Sequence, residues 1–208
     1  MLRWVPTHLP EIAQALWEHV VLVVVSVAIA LAISLVLGVY SARRPAVYAV
    51  VVFLTGAIFV IPSLALFALL IPLLGLGFKP AIVGLVSYCL LALVRNVALG
   101  IRSVPPEVLD AATGMGYDSW RRLLRIELPL ATPLIVSGVR IATITVIGIA
   151  TVAAYINAGG LGTIIFAGID QRYPEKILTG GLLASAMAVA ADFALTRLER
   201  RLRLGRVG

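Results

Sequence analysis

A chain of 208 residues that is 61% hydrophobic and 13% charged carries too little polar surface for a water-soluble domain, where the apolar share is roughly 45–50%. Its mean hydropathy of +1.06 makes a bilayer the solvent that fits. The formal net charge of +7 does not point to nucleic acid, because the basic residues lie between and after apolar runs, without the aromatic–basic clusters that bind single strands.

The first apolar run covers 17–40. It is too long for a signal-peptide core and its flanks are reversed, with Glu11 and Glu18 before it and Arg43 and Arg44 after it. It reads as a retained first span with the N-terminus outside. Residues 1–16 are expected to form a short interfacial helix anchored by Trp4 and Trp17. The second run, about 46–74, is interrupted by Pro62 and fits one kinked helix or two short ones. The remaining runs are about 80–101, 133–156 and 177–195. Each suits a ~20-residue helix across ~30 Å of hydrocarbon, and continuous rather than alternating apolarity argues against a barrel.

Charge decides the second run. Counted as one span, it leaves Arg43, Arg44, Arg102, Arg121, Arg122, Arg125, Arg197, Arg200, Arg201, Arg203 and Arg206 on one side, eleven against the four of Arg3, Lys79, Arg172 and Lys176. Positively charged loops stay in the cytoplasm. The expected fold is therefore all-α and polytopic: one transmembrane domain, 1–208, with five spans, a cytoplasmic loop 103–129 and a cytoplasmic C-terminus.

Chemistry-bearing residues are sparse. The single cysteine, Cys89, excludes an internal disulfide and a cysteine-built metal site, and reads as a small buried hydrophobe. His8 and His19 lie eleven residues apart with no third histidine, so no metal is expected. There is no GxSxG, HExxH or P-loop, so the chain is not expected to be an enzyme or to bind a nucleotide itself.

The loop 103–129 is a polar island in an apolar chain. Ser103 is placed to cap a helix beginning near Pro105–Pro106, with Glu107 and Asp110 near its positive end. Gly114 and Gly116 then break the helix. Asp118 caps a second short helix in which Trp120, Leu123 and Leu124 share a face, and Pro129 closes the unit. Periodicity leaves two readings: an amphipathic hairpin on anionic lipid, or a surface, small at Ala111 and Ala112, that another protein approaches closely.

The spacing separates them. Asp110-Ala111-Ala112, three residues, Gly116, nine residues, Ile126, one residue, Leu128-Pro129 resembles the EAA motif of bacterial ABC-importer permeases, with Asp110 where glutamate is usual. The resemblance implies that the loop forms coupling helices seated in a cleft of a cytoplasmic ABC ATPase subunit, with Asp110, Ala111, Ala112, Gly116 and Tyr117 at the contact. ATP and magnesium then belong to that partner, and this chain needs no cofactor.

The segments IPSLALFALLIPLLGLGFKPAIVGL (61–85), LVRN (93–96) and NAGGLG (157–162) resemble the osmoprotectant branch, importers of glycine betaine, carnitine, choline and related quaternary amines. The similarity runs from about residue 19 to about 195. It implies a second permease copy or paralogue as dimer partner, and a bacterial or archaeal cytoplasmic membrane with its lipid as the setting. The sequence ends at Gly208 with no domain after the last span, so the substrate-binding protein is expected to be a separate extracytoplasmic polypeptide. Alternatives are a permease for another small solute, such as an amino acid or a thione, a passive osmotic channel, and a membrane enzyme. The channel would have no use for an ATPase dock, and the enzyme lacks its constellation.

Polar or aromatic residues within the spans are the pathway and gate candidates: Tyr88, Arg95, Asn96, Thr143, Thr145, Thr151, Tyr155 and Asn157. The threonines alternatively bond their own helix backbone, and the tyrosines alternatively anchor at the interface. Arg95 lies two turns before Arg102, about 10 Å deeper, and either faces a cavity or snorkels to headgroups. Gly159, Gly160 and Gly162 read as a tight outer gate loop or a flexible one, and Gly180–Gly181 as a site of close helix packing. The basic tail LERRLRLGRVG fits an anionic-lipid anchor.

Overall fold

The computed structural model describes residues 4–204. Arg3, Arg206 and the last residues of the basic tail lie outside them. Among the described residues the fold is all-helical: α1 (Leu9–Ala42), α2 (Pro45–Val60), α3 (Ser63–Leu74), α4 (Phe78–Arg102), α5 (Pro106–Gly114), α6 (Ser119–Arg122), α7 (Leu128–Ala153), α8 (Leu161–Asp170) and α9 (Pro174–Leu204).

The first helix is longer than its apolar run. Pro10 sits in its first turn, where a missing N–H is harmless, and nothing breaks the helix between there and Ala42. The expected separate interfacial helix over 1–16 is therefore corrected. Among the described residues of that segment, Val5–Thr7 forms a short 3₁₀ turn, and residues from Leu9 belong to α1. Trp4 is buried against Ile12, Ala15, Leu161 and Ile164 rather than placed at headgroups, whereas Trp17 is exposed.

Pro62 breaks the second run into α2 and α3, which meet at 99°. Among the described residues, four helices are long and apolar enough to cross a membrane, and the bent pair makes a fifth span if counted as one. A proline kink alone is gentler than this. The break persists because Ile61 is extended (φ −63°, ψ 128°) and its carbonyl accepts the Tyr88 hydroxyl of α4. The tyrosine thus satisfies a backbone group that the helix no longer does.

The centre of the bundle is α4, whose Leu85, Cys89, Leu93 and Val97 are fully buried between α1 and α7. In lipid, apolar burial drives association weakly and close approach matters more. A Cβ on Gly38 would lie 2.6 Å from Val97 Cβ, and one on Gly138 would lie 2.6 Å from Asn96 Cβ. Between α7 and α9, apolar packing of Met187, Ala188 and Ala191 is joined by a polar cluster. Arg140 Nη1 donates to Thr196 Oγ1 at 2.9 Å and lies 3.5 Å from Asp192 Oδ1, while its Nε is 3.8 Å from Glu199 Oε2. Charged groups within a span normally turn toward a partner in this way.

Two local expectations for the loop are corrected. Ser103 Oγ donates to the Gly100 carbonyl at 2.8 Å, closing α4, and Pro105 is the residue that precedes α5. Pro129 does not end the unit, because α6 continues through a π-helical turn, Leu123–Glu127, into α7. Pro129 lacks the N–H that an α-helix would use, and a widened turn just before it is where a continuous helix absorbs that loss.

The chain's two ends of structure are now defined. At one, the Gly77 N–H donates to the Ile156 carbonyl at 2.7 Å, tying the α3–α4 turn to the end of α7 beside α8. At the other, Arg102 donates to the Ala42 and Ser41 carbonyls at 2.9 and 3.1 Å, closing α1 beside the loop 103–129.

Candidate coupling surface and translocation cleft

The loop builds a protruding helix–turn–helix. Asp118 Oδ1 accepts from the Trp120 and Arg121 N–H groups at 3.0 and 2.8 Å, the N-cap that fixes where α6 begins. Gly116 holds φ +81° in the turn, a conformation that costs other residues about 1–2 kcal/mol, and beyond its two chain neighbours nothing lies within 4 Å of where its Cβ would be. Asp110, Ala111 and Gly116 are exposed and Tyr117 is half-buried. Ala112 is not on this surface: it is 1% exposed, and its carbonyl accepts the Tyr117 N–H at 3.1 Å to close the turn. Of the five residues named from the motif, Ala112 therefore shapes the turn from inside. Met115 and Trp120 are the large apolar side chains that protrude beside it.

Behind the surface lies a residue that sequence reading passed over. Glu127, the variable position of the I-x-LP segment, is 3% exposed and accepts from Arg43 Nη2 at 2.9 and 3.0 Å and from Arg122 Nε at 3.1 Å. A lone carboxylate inside RIELPL was the available signal, but its main partner is 84 residues away.

Half of the pathway candidates converge. Tyr88, Arg95 and Asn96 of α4 and Thr145 of α7 line an open cleft of about 290 Å³, with Phe59, Leu91, Ala92, Ile141 and Ala142. Phe59 was not singled out from sequence; it meets Tyr88 edge-on at 5.9 Å, one turn before the Pro62 break. Asn96 Nδ2 donates to its own helix at Ala92 O, 2.8 Å. Arg95 is exposed in this single chain and makes no hydrogen bond or ion pair among the described residues. The other candidates lie elsewhere. Thr143 and Thr151 donate to Val139 O and Gly148 O of their own helix, at 2.7 Å each. Tyr155 and Asn157 sit past the end of α7, the first exposed and the second left-handed at φ 60°.

The glycine loop is gripped by α1. The Gly160 N–H donates to Glu18 Oε2 at 3.0 Å and the Leu161 N–H to His19 Nδ1 at 3.3 Å. With Nδ1 accepting, the His19 proton sits on Nε2, which donates to the Ile147 carbonyl at 3.1 Å. Neither Glu18 nor His19 was legible as a loop anchor. Gly159 and Gly160 carry φ +82° and +84°, while Gly162 lies within α8, where an added Cβ would sit 1.9 Å from the Thr151 carbonyl oxygen. The helix α8 itself was not anticipated, being only 10 residues long behind a glycine pair. Gly162→Ala is expected to lower the detergent melting temperature sharply, a cost of about 3 kcal/mol or more from overpacking against backbone. Gly181→Ala, which meets nothing within 4 Å, is expected to leave it unchanged. Equal melting temperatures for the two would contradict the close α7–α8 contact.

Known proteins share this sequence pattern and this fold. Residues 34–204 match the family model described as binding-protein-dependent transport system inner membrane component. The chain is 36% identical over 186 residues to the carnitine transport permease protein OpuCB of Listeria monocytogenes, covering 89% of this chain and 85% of that one. It is 35% identical over 201 residues to the glycine betaine/carnitine/choline transport system permease protein OpuCB of Bacillus subtilis, covering 97% and 93%. Among solved structures, an inward facing form of the MetNI methionine ABC transporter superposes with a TM-score of 0.80 at 25% identity, covering 92% of this chain and 95% of that one.

Proposed function

We infer that the chain, which belongs to the family of binding-protein-dependent transport system inner membrane components, works in solute import. It is a permease subunit of an ABC importer. We propose that it pairs with a second permease copy or paralogue, that cytoplasmic ATPase subunits dock on the turn Asp110–Gly116, and that a separate binding protein delivers the solute at the opposite end. The N-terminus is then outside and the C-terminus cytoplasmic. The observation that carries this reading is the turn itself. Asp110, Ala111 and Gly116 are exposed on a capped helix–turn–helix at the end of the bundle where Arg43, Arg44 and Arg102 gather, as a cytoplasmic dock requires.

The solute class we propose is a quaternary-amine osmoprotectant such as glycine betaine, carnitine or choline. Relatives named for those solutes match over nearly the whole chain. The cleft is chemically suited to a zwitterion: Phe59, backed by the buried Tyr88, presents aromatic surface to a quaternary ammonium, which cannot donate hydrogen bonds, and Arg95 presents a planar fork to a carboxylate.

The dock is tested by co-purification in detergent with the co-expressed ATPase subunit. Asp110→Lys is expected to reduce the recovered ATPase by about tenfold, since it places a like-for-opposite charge in the centre of a contact. Undiminished recovery would show that the ATPase binds elsewhere.

A further inference from the structure

A docked loop does work only if its displacement reaches the transmembrane helices. The continuous helix from α6 into α7 has its softest point between the two, at the π-helical turn Leu123–Glu127, where the regular hydrogen-bond ladder is interrupted before Pro129. A push on the turn Asp110–Gly116 would be absorbed there unless something braced it. The brace in the structure is Glu127, the last residue of that turn.

Its carboxylate is buried and joins three elements. Arg43, the residue that ends α1, reaches both oxygens at 2.9 and 3.0 Å through one nitrogen. Arg122 of α6 reaches Oε1 at 3.1 Å through Nε, and its Nη1 donates to Thr113 Oγ1 of α5 at 3.1 Å. Arg102 of α4 holds the same last turn of α1 through the Ser41 and Ala42 carbonyls. The contacts therefore run without a gap from α5 through α6 and Glu127 to α1, and from there to α4, which carries the cleft.

We propose that Glu127 is a positioning residue of the transport cycle: it locks the coupling turn to the end of α1, so that loop, α1 and α4 move as one body when the ATPase subunits close. This rests on the reading of the loop as the ATPase dock. Charge-assisted bonds to a buried carboxylate are short and directional, and breaking one partner of such a group is costly, so the joint resists rotation. Glu127 itself is 3% exposed and stays off the docking surface, so altering it separates coupling from binding.

The test uses the full reconstituted complex with its ATPase, partner permease and binding protein, and reads labelled glycine betaine moved per ATP hydrolysed. Glu127→Gln keeps the shape and removes the charge. It is expected to lower that ratio by about fivefold or more while ATPase recovery and hydrolysis rate stay within about twofold, the signature of lost coupling free energy. Glu127→Asp, which keeps the charge, is expected to retain most of the ratio. If Glu127→Gln does not fold, Arg43→Gln, altering a half-exposed partner, reads the same quantity. A merely structural role would lower yield, hydrolysis and uptake together with the ratio unchanged, and an unchanged ratio overturns the proposal. If the unaltered complex moves no solute with ATP, the dock reading fails and this proposal falls with it. An unaltered complex that transports alongside a Glu127→Gln variant of equal ratio removes the proposal alone.

Discussion

Replacing Gly116 by arginine is expected to abolish ATP-driven uptake while the protein still inserts, folds and dimerises. The geometry makes the two effects separable. Beyond its two chain neighbours, nothing lies within 4 Å of the position a Cβ would take at Gly116, so the arginine side chain extends outward without clashing internally. The backbone at φ +81° costs a non-glycine residue only about 1–2 kcal/mol, which lowers stability modestly. The volume and charge fall on the partner's side, where the ATPase is proposed to sit, and a disrupted coupling contact of 1–3 kcal/mol corresponds to about 5–150-fold. Gly116→Asn, whose side chain is small and tolerates the left-handed region, should lose far less. Uptake by reconstituted Gly116→Arg at the unaltered rate would place the dock elsewhere.

Charge reversal at Arg95 should divide solutes by their own charge. Arg95 makes no hydrogen bond or ion pair among the described residues, so Arg95→Glu breaks no internal bond, and the melting temperature should hold. A charge-assisted hydrogen bond to a carboxylate is worth about 1.5–3 kcal/mol, or roughly 10–100-fold in rate or affinity if it forms during passage. Uptake of glycine betaine and carnitine, which carry a carboxylate, should fall by that order, and uptake of choline, which has none, should fall less or rise. Arg95→Lys keeps the charge but loses the bidentate fork and should lie between. Betaine and choline uptake that remain equally intact would remove Arg95 from the pathway.

The sequence makes legible what short-range chemistry controls. Asp118 caps α6 because an aspartate before Ser-Trp-Arg has only nearby N–H groups to accept from, and the structure shows that bond. Pro62 marked an interruption, but not its angle. The 99° bend depends on Tyr88, 27 residues away, which satisfies the carbonyl left open at Ile61. Ala111 and Ala112 look alike in sequence, yet one faces outward and the other is sealed inside, since neither residue's chemistry says which face of a nine-residue helix meets the bundle. Glu127 and His19 were opaque for a stronger reason. Their roles consist of partners 84 and 128 residues distant, Arg43 and the Ile147 carbonyl, and no local pattern encodes such pairings. The helix α8 was hidden by its length, too short for a span and too apolar for a loop. Pro129 misled because proline ends most helices, whereas here a π-helical turn lets the helix run on.

This chain is proposed to form the passage of an ATP-driven importer of quaternary-amine osmoprotectants. The most direct test is uptake of labelled glycine betaine into proteoliposomes that hold the chain with its ATPase and partner permease, with the loaded binding protein outside. Accumulation against a gradient is expected, and it should require both ATP inside and binding protein outside. Equilibration of betaine with neither ATP nor ATPase present would make the chain a passive channel and contradict this role.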